Sequence, residues 1–256
     1  MIKKIPIELE KHGHVRVDNY YWLRERDNPA VIQFLNDEND YAAKAMAHAR
    51  PFEEKLFDEI KNRFKQTDMS VPYKRDGYFY YTRYEEGKEY PIYARRRGAL
   101  DQPEEIMLDA NQLAAGHDFF SIGGSAVSFA QDLLAYAVDT QGRRIHTAYV
   151  KNLTTGQLLV DVLPNVTENL IWANDNHTLF YAKQDGTTLR QHQIWRHIVG
   201  ADPADDQLVY EEKDETYVAY IFKTKSKKFL MIVSAHTTSQ EFRYLDADQP
   251  LGQFTV

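Results

Sequence analysis

Four stretches of the chain repeat one layout of short apolar segments, and this repetition constrains the fold more than any other feature. Each copy opens on an apolar core, and a second apolar segment centred on an aromatic residue follows 12 to 14 residues after the core ends. The cores are Phe79-Tyr80-Tyr81, Leu134-Ala135-Tyr136, Leu179-Phe180-Tyr181 and Leu230-Met231-Ile232, and the second segments are centred on Tyr93, Tyr149, Trp195 and Tyr244. Third segments follow at Ile106-Met107-Leu108, Leu158-Leu159-Val160, Leu208-Val209-Tyr210 and Gly252-Gln253-Phe254. A period of roughly 40 to 50 residues built from short strands is typical of β-propeller blades.

The turns support four antiparallel strands in each repeat. Glu86-Gly87, Gln141-Gly142 and Asp185-Gly186 each lie between a core and its second segment, where they predict hairpins. A further strand is predicted in each later repeat, at residues 119–122, 170–173 and 217–221. A β-sandwich is the competing architecture, but it does not require one four-part unit to recur. The sequence therefore predicts a mainly β fold with N-terminal helices and an incomplete propeller of about three and a half to four blades.

The first 70 residues differ from the rest. Residues 1–27 are predicted to be irregular, and Asn28-Pro29 then predicts the start of a helix. Apolar residues recur at helical spacing up to Pro51, which is expected to break the helix, and again from Phe52 to Phe64. Both helices carry an apolar face that needs a cover. We expect residues 1–70 to form an N-terminal extension with two helices and residues 71–256 to form the partial propeller.

Composition narrows the environment and the partners. The chain has no cysteine, which excludes disulfides and thiolate chemistry and fits a reducing compartment. Its net charge of −7 does not favour a nucleic-acid partner, and the one basic run, Arg95-Arg96-Arg97, is interpreted as a solvated turn. The N-terminus lacks a signal-peptide pattern, and the apolar runs are far shorter than a membrane span. These features predict a cytoplasmic protein without a membrane or nucleic-acid partner.

The sequence contains no motif from which we predict a catalytic, cofactor-binding or metal-ligating residue. A nucleophile elbow needs glycine two residues before and two after a serine, and neither Ser121 nor Ser125 meets this condition. We interpret Gly123-Gly124-Ser125 as a flexible turn that leads into a strand. The nine histidines are interpreted as scattered surface imidazoles, and no phosphate-binding glycine loop is present. The adjacent acidic pairs are interpreted as solvated turns; they are Glu53-Glu54, Glu85-Glu86, Glu104-Glu105, Asp205-Asp206 and Glu211-Glu212.

Several runs together resemble the prolyl oligopeptidase family, in particular its oligopeptidase B (protease II) branch. They cover essentially the whole chain and are Arg16-Val17-Asp18-Asn19-Tyr20-Tyr21-Trp22-Leu23-Arg24, Glu38-Asn39-Asp40-Tyr41, Glu89-Tyr90-Pro91-Ile92-Tyr93, Leu108-Asp109-Ala110-Asn111, Trp172-Ala173-Asn174-Asp175, Gln193-Ile194-Trp195-Arg196-His197, Leu208-Val209-Tyr210-Glu211-Glu212-Lys213 and Leu245-Asp246-Ala247.

The resemblance implies a serine peptidase that cleaves short peptides after Lys or Arg. In that family a seven-bladed propeller covers an α/β-hydrolase domain that carries the catalytic Ser, Asp and His, and the N-terminal helices pack largely on the hydrolase domain. No position in this chain matches the triad or the acidic residues that bind the basic side chain, so we expect those groups to lie beyond Val256. The resemblance implies the missing hydrolase domain as the main partner and short basic peptides as substrates of the full enzyme, with no cofactor. We expect the chain to be inactive alone and to self-associate through uncovered blade faces.

Two other interpretations stay open at the level of sequence. The chain could be a non-catalytic propeller that serves as a binding module, and the residues encoded after Val256 distinguish this from the peptidase: a G-x-S-x-G elbow favours the peptidase, and a stop codon favours the module. A carbohydrate-active propeller is the third class. It would require two acids facing one cavity at glycosidase spacing.

Overall fold

The structure is a computed structural model that describes residues 2–256 and separates into two compact units, Met1–Lys65 and Gln66–Val256. Each unit is described by itself. The secondary-structure elements of the first unit are β1 (Ile7–Lys11), β2 (His14–Asp18), α1 (Pro29–Ala45) and α2 (Arg50–Lys61), with short 3₁₀ turns at Tyr21–Arg24 and Ala47–Ala49.

Over residues 2–27 the chain is more regular than predicted. β1 and β2 pair as an antiparallel hairpin, and His12 and Gly13 between them both have positive φ angles, 54° and 77°. This is the backbone combination of the two-residue hairpin turns that match strand twist. The prediction of an irregular segment was wrong because we did not interpret His-Gly as a turn signal.

The helical pair is confirmed, with one correction at its junction. α1 begins at Pro29, and the Asn28 side chain accepts a hydrogen bond of 2.9 Å from the backbone N–H of Ala30, as expected of an N-cap. α1 ends at Ala45, well before Pro51. Pro51 lies in the first turn of α2, where a missing N–H costs no helical hydrogen bond, so it does not break α1.

The second unit contains four consecutive antiparallel sheets in which strands follow one another in chain order. The strands of sheet 1 are β3 (Tyr73–Arg75), β4 (Tyr78–Arg83), β5 (Ile92–Arg97) and β6 (Glu104–Asp109). Those of sheet 2 are β7 (Ser121–Val127), β8 (Leu133–Asp139), β9 (His146–Asn152) and β10 (Leu158–Val166), preceded by the short helix α3 (Ala110–Leu113). Sheet 3 has β11 (Leu170–Trp172), β12 (Thr178–Gln184), β13 (Gln191–Ile198) and β14 (Gln207–Glu211), and sheet 4 has β15 (Val218–Lys223), β16 (Phe229–Ala235) and β17 (Gln240–Asp246).

The four predicted apolar cores are confirmed as the second strands of the sheets, and the predicted second segments as the third strands. The third segment of the fourth repeat is the exception. Residues 252–254 form no strand, and only an isolated bridge joins Thr255 to Tyr244. Phe254 instead packs its ring edge-on against Phe180 of sheet 3, with ring centroids 5.8 Å apart. The apolar character of this segment therefore serves packing between sheets.

The core of the second unit lies largely between neighbouring sheets. One cluster packs β8 and β9 against β11 and β12, and includes the fully buried Leu179 and the buried Tyr181. A second joins sheets 3 and 4 around Phe180 and Ile232, and a third joins sheets 1 and 2 around Tyr80 and Tyr136. Each sheet thus buries both faces only when it has a neighbour on each side, which is the arrangement expected of repeated stacked units.

Candidate functional site

The ends of the first strands of all four sheets line one small cavity. Its volume is about 60 Å³, and we call it the axial pocket. Its walls are formed by Arg75 and Asp76 of sheet 1, Phe129 after β7, Trp172 of β11, and Lys223 and Lys227 of sheet 4. An ion pair between Lys227 and Asp76 connects sheet 4 to sheet 1, which are not consecutive in the chain. The pocket is therefore the point where the four sheets converge.

Lys223 is a half-buried cation without a carboxylate partner in this pocket. Its Nζ donates a hydrogen bond of 2.9 Å to the side-chain oxygen of Asn174. Burial, followed by repulsion from Lys227 and Arg75, lowers the pKa of Lys223 to about 8. Asp76 is also shifted: burial raises its pKa, but the hydrogen bonds and charges of Lys227 and Arg75 together outweigh burial and leave that pKa below its ordinary value. The pocket thus holds excess positive charge around a single engaged carboxylate.

A second polar site lies between sheets 2 and 3, and we call it the clasp. The imidazole of His197 in β13 is fully buried, with Nδ1 2.6 Å from Asp206 Oδ1 and Nε2 2.8 Å from Asp161 Oδ1. Asp161 belongs to β10, so the ring bridges two sheets. The hydroxyl of Tyr181 donates to Asp206 Oδ2 at 2.8 Å, and the backbone N–H of Gly200 donates to Asp161 Oδ1 at 2.5 Å.

The geometry of the clasp requires a charged imidazole if both aspartates are ionised. Each ring nitrogen faces a carboxylate oxygen, and both nitrogens are donors only in the imidazolium form. Burial alone lowers the pKa of His197, but the hydrogen bonds of Asp206 and Asp161 outweigh it, so the pKa lies above its ordinary value. Among residues 2–256, Asp161 Oδ2 has no hydrogen-bond partner. The clasp is a buried cluster in which one imidazole joins two carboxyl groups of neighbouring sheets.

The interpretation of all nine histidines as surface imidazoles was therefore wrong for His197, and also for His146, which is buried in β9. Sequence reasoning missed the clasp because its three members lie 9 and 36 residues apart along the chain. Only the stacking of β10 on sheet 3 brings them together. No spacing rule along one helix or strand would identify such a set.

The basic run was also misinterpreted as a solvated turn. Arg95 lies inside β5, and its side chain is only 4% exposed. Its guanidinium lies 4.0 Å from the ring centroid of Tyr78, and its Nε donates to Glu105 Oε2 at 2.8 Å. A second nitrogen donates at 2.9 Å to the backbone oxygen of Gln131, in the turn between β7 and β8 of the next sheet. Strand alternation explains the error, because successive residues of a charged run that lies in a strand point to opposite faces of the sheet.

Four of the acidic pairs contain at least one engaged carboxylate, and these include Glu85, which pairs with Arg83, and Glu105, which accepts from Arg95. Glu104 accepts hydrogen bonds from Arg83 and from the Tyr81 hydroxyl, the latter at 2.7 Å. Asp206 belongs to the clasp, and Glu212 accepts from the Tyr210 hydroxyl at 2.7 Å and from the Ser234 hydroxyl. The interpretation of these four pairs as freely solvated was wrong, and the engaged carboxylates are bonded within or between sheets.

The predicted glycine turn is part of strand β7. Gly123 and Gly124 lie at a bulge between Ile122 and Gly124, where β7 shifts register against β8. A Cβ atom on Gly124 would collide with the backbone oxygen of Glu168, and one on Gly123 would collide with the ring of His146. The glycines are therefore required by the close approach of other backbone and side-chain atoms, which explains why a strand contains two adjacent residues that usually mark turns.

Three larger cavities lie elsewhere in the second unit, and one of them, of about 200 Å³, is lined by residues of sheets 1 and 2, including Tyr80 and Met107. A second of about 370 Å³ is lined by residues of α3 and sheet 2, including His117, Tyr136 and His146. A third of about 520 Å³ lies between sheets 3 and 4, at Glu168, Asn169 and Tyr220. Within residues 2–256 no group of three His, Cys, Asp or Glu side chains has an arrangement suited to a metal ion. The prediction that this chain carries no catalytic, cofactor or metal residue stays a prediction.

No helix in the part of the chain that the structure describes is both long and apolar enough to cross a membrane.

The sequence matches the family model described as prolyl oligopeptidase, N-terminal β-propeller domain, over residues 3–256. Among curated proteins it is similar to dipeptidyl aminopeptidase BI of Pseudoxanthomonas mexicana, at 41% identity over 99% of the chain. It is also similar to protease 2 of Moraxella lacunata, at 38% identity over 98% of the chain. The chain spans 37% of the length of each of these relatives.

Solved structures give the same result. Oligopeptidase B from Leishmania major superposes with a TM-score of 0.89 at 29% identity, covering 96% of this chain and 37% of that protein. Oligopeptidase B from Trypanosoma brucei superposes with a TM-score of 0.88 at 26% identity, covering 97% of this chain and 37% of that protein. The predicted incomplete propeller is confirmed, and the four sheets are its blades. In these relatives this region accompanies the rest of a full-length peptidase, and the chain belongs to the prolyl oligopeptidase family, whose N-terminal β-propeller it carries.

Proposed function

We propose that the chain is the N-terminal and propeller part of an oligopeptidase B-like serine peptidase that cleaves short peptides after Lys or Arg. The observation that carries the proposal is the similarity over nearly the whole chain to a protease 2 and, in structure, to oligopeptidase B at a TM-score of 0.89. In this proposal, the catalytic residues belong to an α/β-hydrolase domain that is encoded beyond Val256.

The propeller acts in this proposal as a lid that selects substrates by size. An enclosed active site admits an extended peptide but excludes a folded domain, and enclosure also keeps bulk water from the reacting groups. Two features of the second unit support this role. The four sheets converge on a pocket of only about 60 Å³, and the Lys227–Asp76 ion pair ties two non-consecutive blades there. In this proposal that end of the propeller axis is too narrow for a folded substrate.

The helices of the first unit supply a surface for the hydrolase domain. α2 and the residues just after it present apolar side chains to solvent, with Phe52 67% exposed and Phe64 71% exposed. Phe57, Leu56 and Ile60 are exposed between them. A row of exposed aromatic and aliphatic side chains at helical spacing is typical of a surface that another domain covers.

The test uses the protein at the full length that its gene encodes. A fluorogenic tetrapeptide with Arg before the reporter should be hydrolysed, and the matched peptide with citrulline, which keeps the shape but not the charge, should lose at least 100-fold in kcat/KM. Antipain, which is covalently bound in the Trypanosoma brucei structure, should abolish the activity. Equal rates on arginine and citrulline substrates would contradict the proposed specificity.

Two further comparisons distinguish an endopeptidase from an aminopeptidase and test selection by size. One relative is named a dipeptidyl aminopeptidase and another a protease, so each substrate is compared with a free and with an acetylated amino terminus. Cleavage of the acetylated peptide supports the proposed endopeptidase, whereas strict dependence on a free terminus would contradict it. The same tetrapeptide sequence placed in a loop of a folded protein should resist cleavage if the lid selects by size.

The isolated 256-residue chain is the remaining control. It should show no hydrolysis of a Lys or Arg ester, and it should self-associate, because the outer faces of its first and last blades and α2 carry exposed apolar residues. Sedimentation gives its association state, and fractionation of cells tests the proposed cytoplasmic location. Turnover by the isolated chain that a serine-directed reagent blocks would place the catalytic groups within it and contradict the proposal. A full-length gene product without a hydrolase domain would instead favour a binding module.

A further inference from the structure

Three cations meet in the axial pocket from two different blades. Arg75 ends β3, Lys223 ends β15, and Lys227 lies in the turn that follows β15. The carboxylate of Asp76 is bonded to Lys227 and lies 3.4 Å from Arg75 Nε. Three positive groups therefore surround one negative group, and that group already has two partners.

Lys223 is the least compensated of the three. Buried charges in proteins are usually paired, because an unpaired charge loses its hydration without recovering the energy elsewhere. The partner of Lys223 is the neutral amide oxygen of Asn174. The charges of Asp175 and Asp248 raise the pKa of Lys223, but each does so less strongly than the two neighbouring cations lower it. Asp175 is bonded to Thr178, and Asp248 accepts from the Asn174 amide at 2.8 Å, so both carboxylates have other partners.

Arg75 offers free donors beside this amine. Its side chain is 65% exposed, and it contacts Asp76 through Nε rather than through its terminal nitrogens. The planar fork of a guanidinium matches the two oxygens of a carboxylate. The ring of Phe129 forms one wall of the pocket, with Nζ of Lys223 and Nζ of Lys227 at 5.9 and 5.4 Å from its centroid. The cavity of about 60 Å³ has room for a group of carboxylate size and for little more.

We infer that the axial pocket binds a carboxylate group, with Lys223 and Arg75 as the donors. In the peptidase proposed above, the source of this group is the C-terminal carboxylate of a short peptide, and this second part rests on the proposed function. A subsite of this kind would favour short peptides over long ones, because only a peptide of limited length can place its terminus on the propeller axis while its scissile bond reaches the catalytic groups.

The test compares two peptides that differ only in charge. Tetra-alanine with a free C-terminal carboxylate and tetra-alanine amide are titrated against the full-length protein after treatment with a serine-directed inhibitor. We expect the acid to bind at least 10-fold more tightly than the amide. Lys223→Gln and Arg75→Gln should each remove this difference, whereas Lys228→Gln, at an exposed position of the same turn, should leave it unchanged. Arg75→Gln alters an exposed side chain, so it keeps the test valid if Lys223→Gln fails to fold.

A second readout follows the amine itself. Competitive acetylation, resolved by mass spectrometry, measures the titration and reactivity of individual lysines. Acetate should raise the pH at which Lys223 becomes reactive and should protect Lys223 from acetylation. Inorganic phosphate serves as a second small-anion probe. If acetate shifts Lys223 but the peptide acid and amide bind equally, the peptide terminus is excluded as the source. If neither anion shifts Lys223, the carboxylate site is overturned. Because these readouts need no turnover, they separate failure of the site from failure of the proposed peptidase.

Discussion

His197 in the clasp and Lys223 in the axial pocket are both cationic groups withdrawn from water, but their surroundings are opposite. His197 is fully buried between two carboxylates, each within 2.8 Å of a ring nitrogen. Lys223 has a neutral amide as its partner and two other cations as its neighbours. Their pKa values accordingly move in opposite directions, above the ordinary value for His197 and below it for Lys223.

This difference separates a group that stabilises the fold from one that is available to a ligand. The charge of His197 is satisfied within the protein and joins two blades, so its removal leaves uncompensated carboxylates. Within residues 2–256 the charge of Lys223 has no carboxylate partner, so we expect its removal to relieve a cost. Four predictions test or sharpen this contrast, in order of decreasing effect on the free energy of unfolding.

Loss of the clasp imidazole should have the largest effect. His197→Ala leaves Asp161 and Asp206 buried without a cation between them, and breaking a buried ion pair by removing one partner costs about 3 to 5 kcal/mol. Urea unfolding of the full-length protein measures the loss. The matched control is His192→Ala on the same strand, whose ring bonds only a backbone oxygen at 3.1 Å. If the two variants are equally stable, the clasp does not stabilise the blade interface.

A steric change at the same blade interface should have the next largest effect. In Gly124→Ala, the new Cβ collides with the backbone oxygen of Glu168, which cannot move as a flexible side chain would. Overpacking of this kind costs about 1 to 3 kcal/mol. Gly186→Ala is the control, because nothing lies within 4 Å of its Cβ position. A stable Gly124→Ala variant would show that the interface adapts and that charge alone sets its stability.

The pH dependence should distinguish the two cations by sign. The pKa of His197 is higher in the folded than in the unfolded protein, so its contribution is complete below about pH 6.5 and is lost as pH rises through the folded value. The loss is smaller than in His197→Ala, because a neutral imidazole still donates to one aspartate. For Lys223 the folded pKa of about 8 is below the unfolded value, so the unfolded state binds more protons above pH 8 and stability rises with pH.

Subtracting the unfolding profiles of His197→Gln and Lys223→Met from that of the wild-type protein isolates the two contributions. Difference curves of the same sign would contradict the opposite environments of the two groups.

The smallest effect on stability is expected for Lys223→Met. The substitution keeps the length of the side chain and removes the unpaired charge, at the cost of one hydrogen bond to Asn174 worth about 1 kcal/mol. We expect the free energy of unfolding to equal or slightly exceed that of the wild-type protein. Denaturation in parallel with His197→Ala makes the comparison direct. A loss as large as that of His197→Ala would mean that Lys223 is a structural group and not a free donor.

Much of the second unit was predictable because the signals are local. The apolar cores of β4, β8, β12 and β16 and the turns after them recur at a period that identifies the blades. The start of α1 was predictable for the same reason, since Asn28 and Pro29 act on adjacent backbone groups. The glycines of β7 were misinterpreted because their cause, the approach of Glu168, lies 44 residues away in the chain.

The sequence by itself determined the strand-rich repeat, the helical pair and the family, because hydrophobic periodicity and turn chemistry act over a few residues. Only the tertiary structure decided which charged residues become partners. Asp161 meets His197, and Arg75 meets Lys223, because neighbouring sheets stack and first strands converge. Electrostatic energy depends on distance in space and on burial, and neither quantity can be read from positions along a chain.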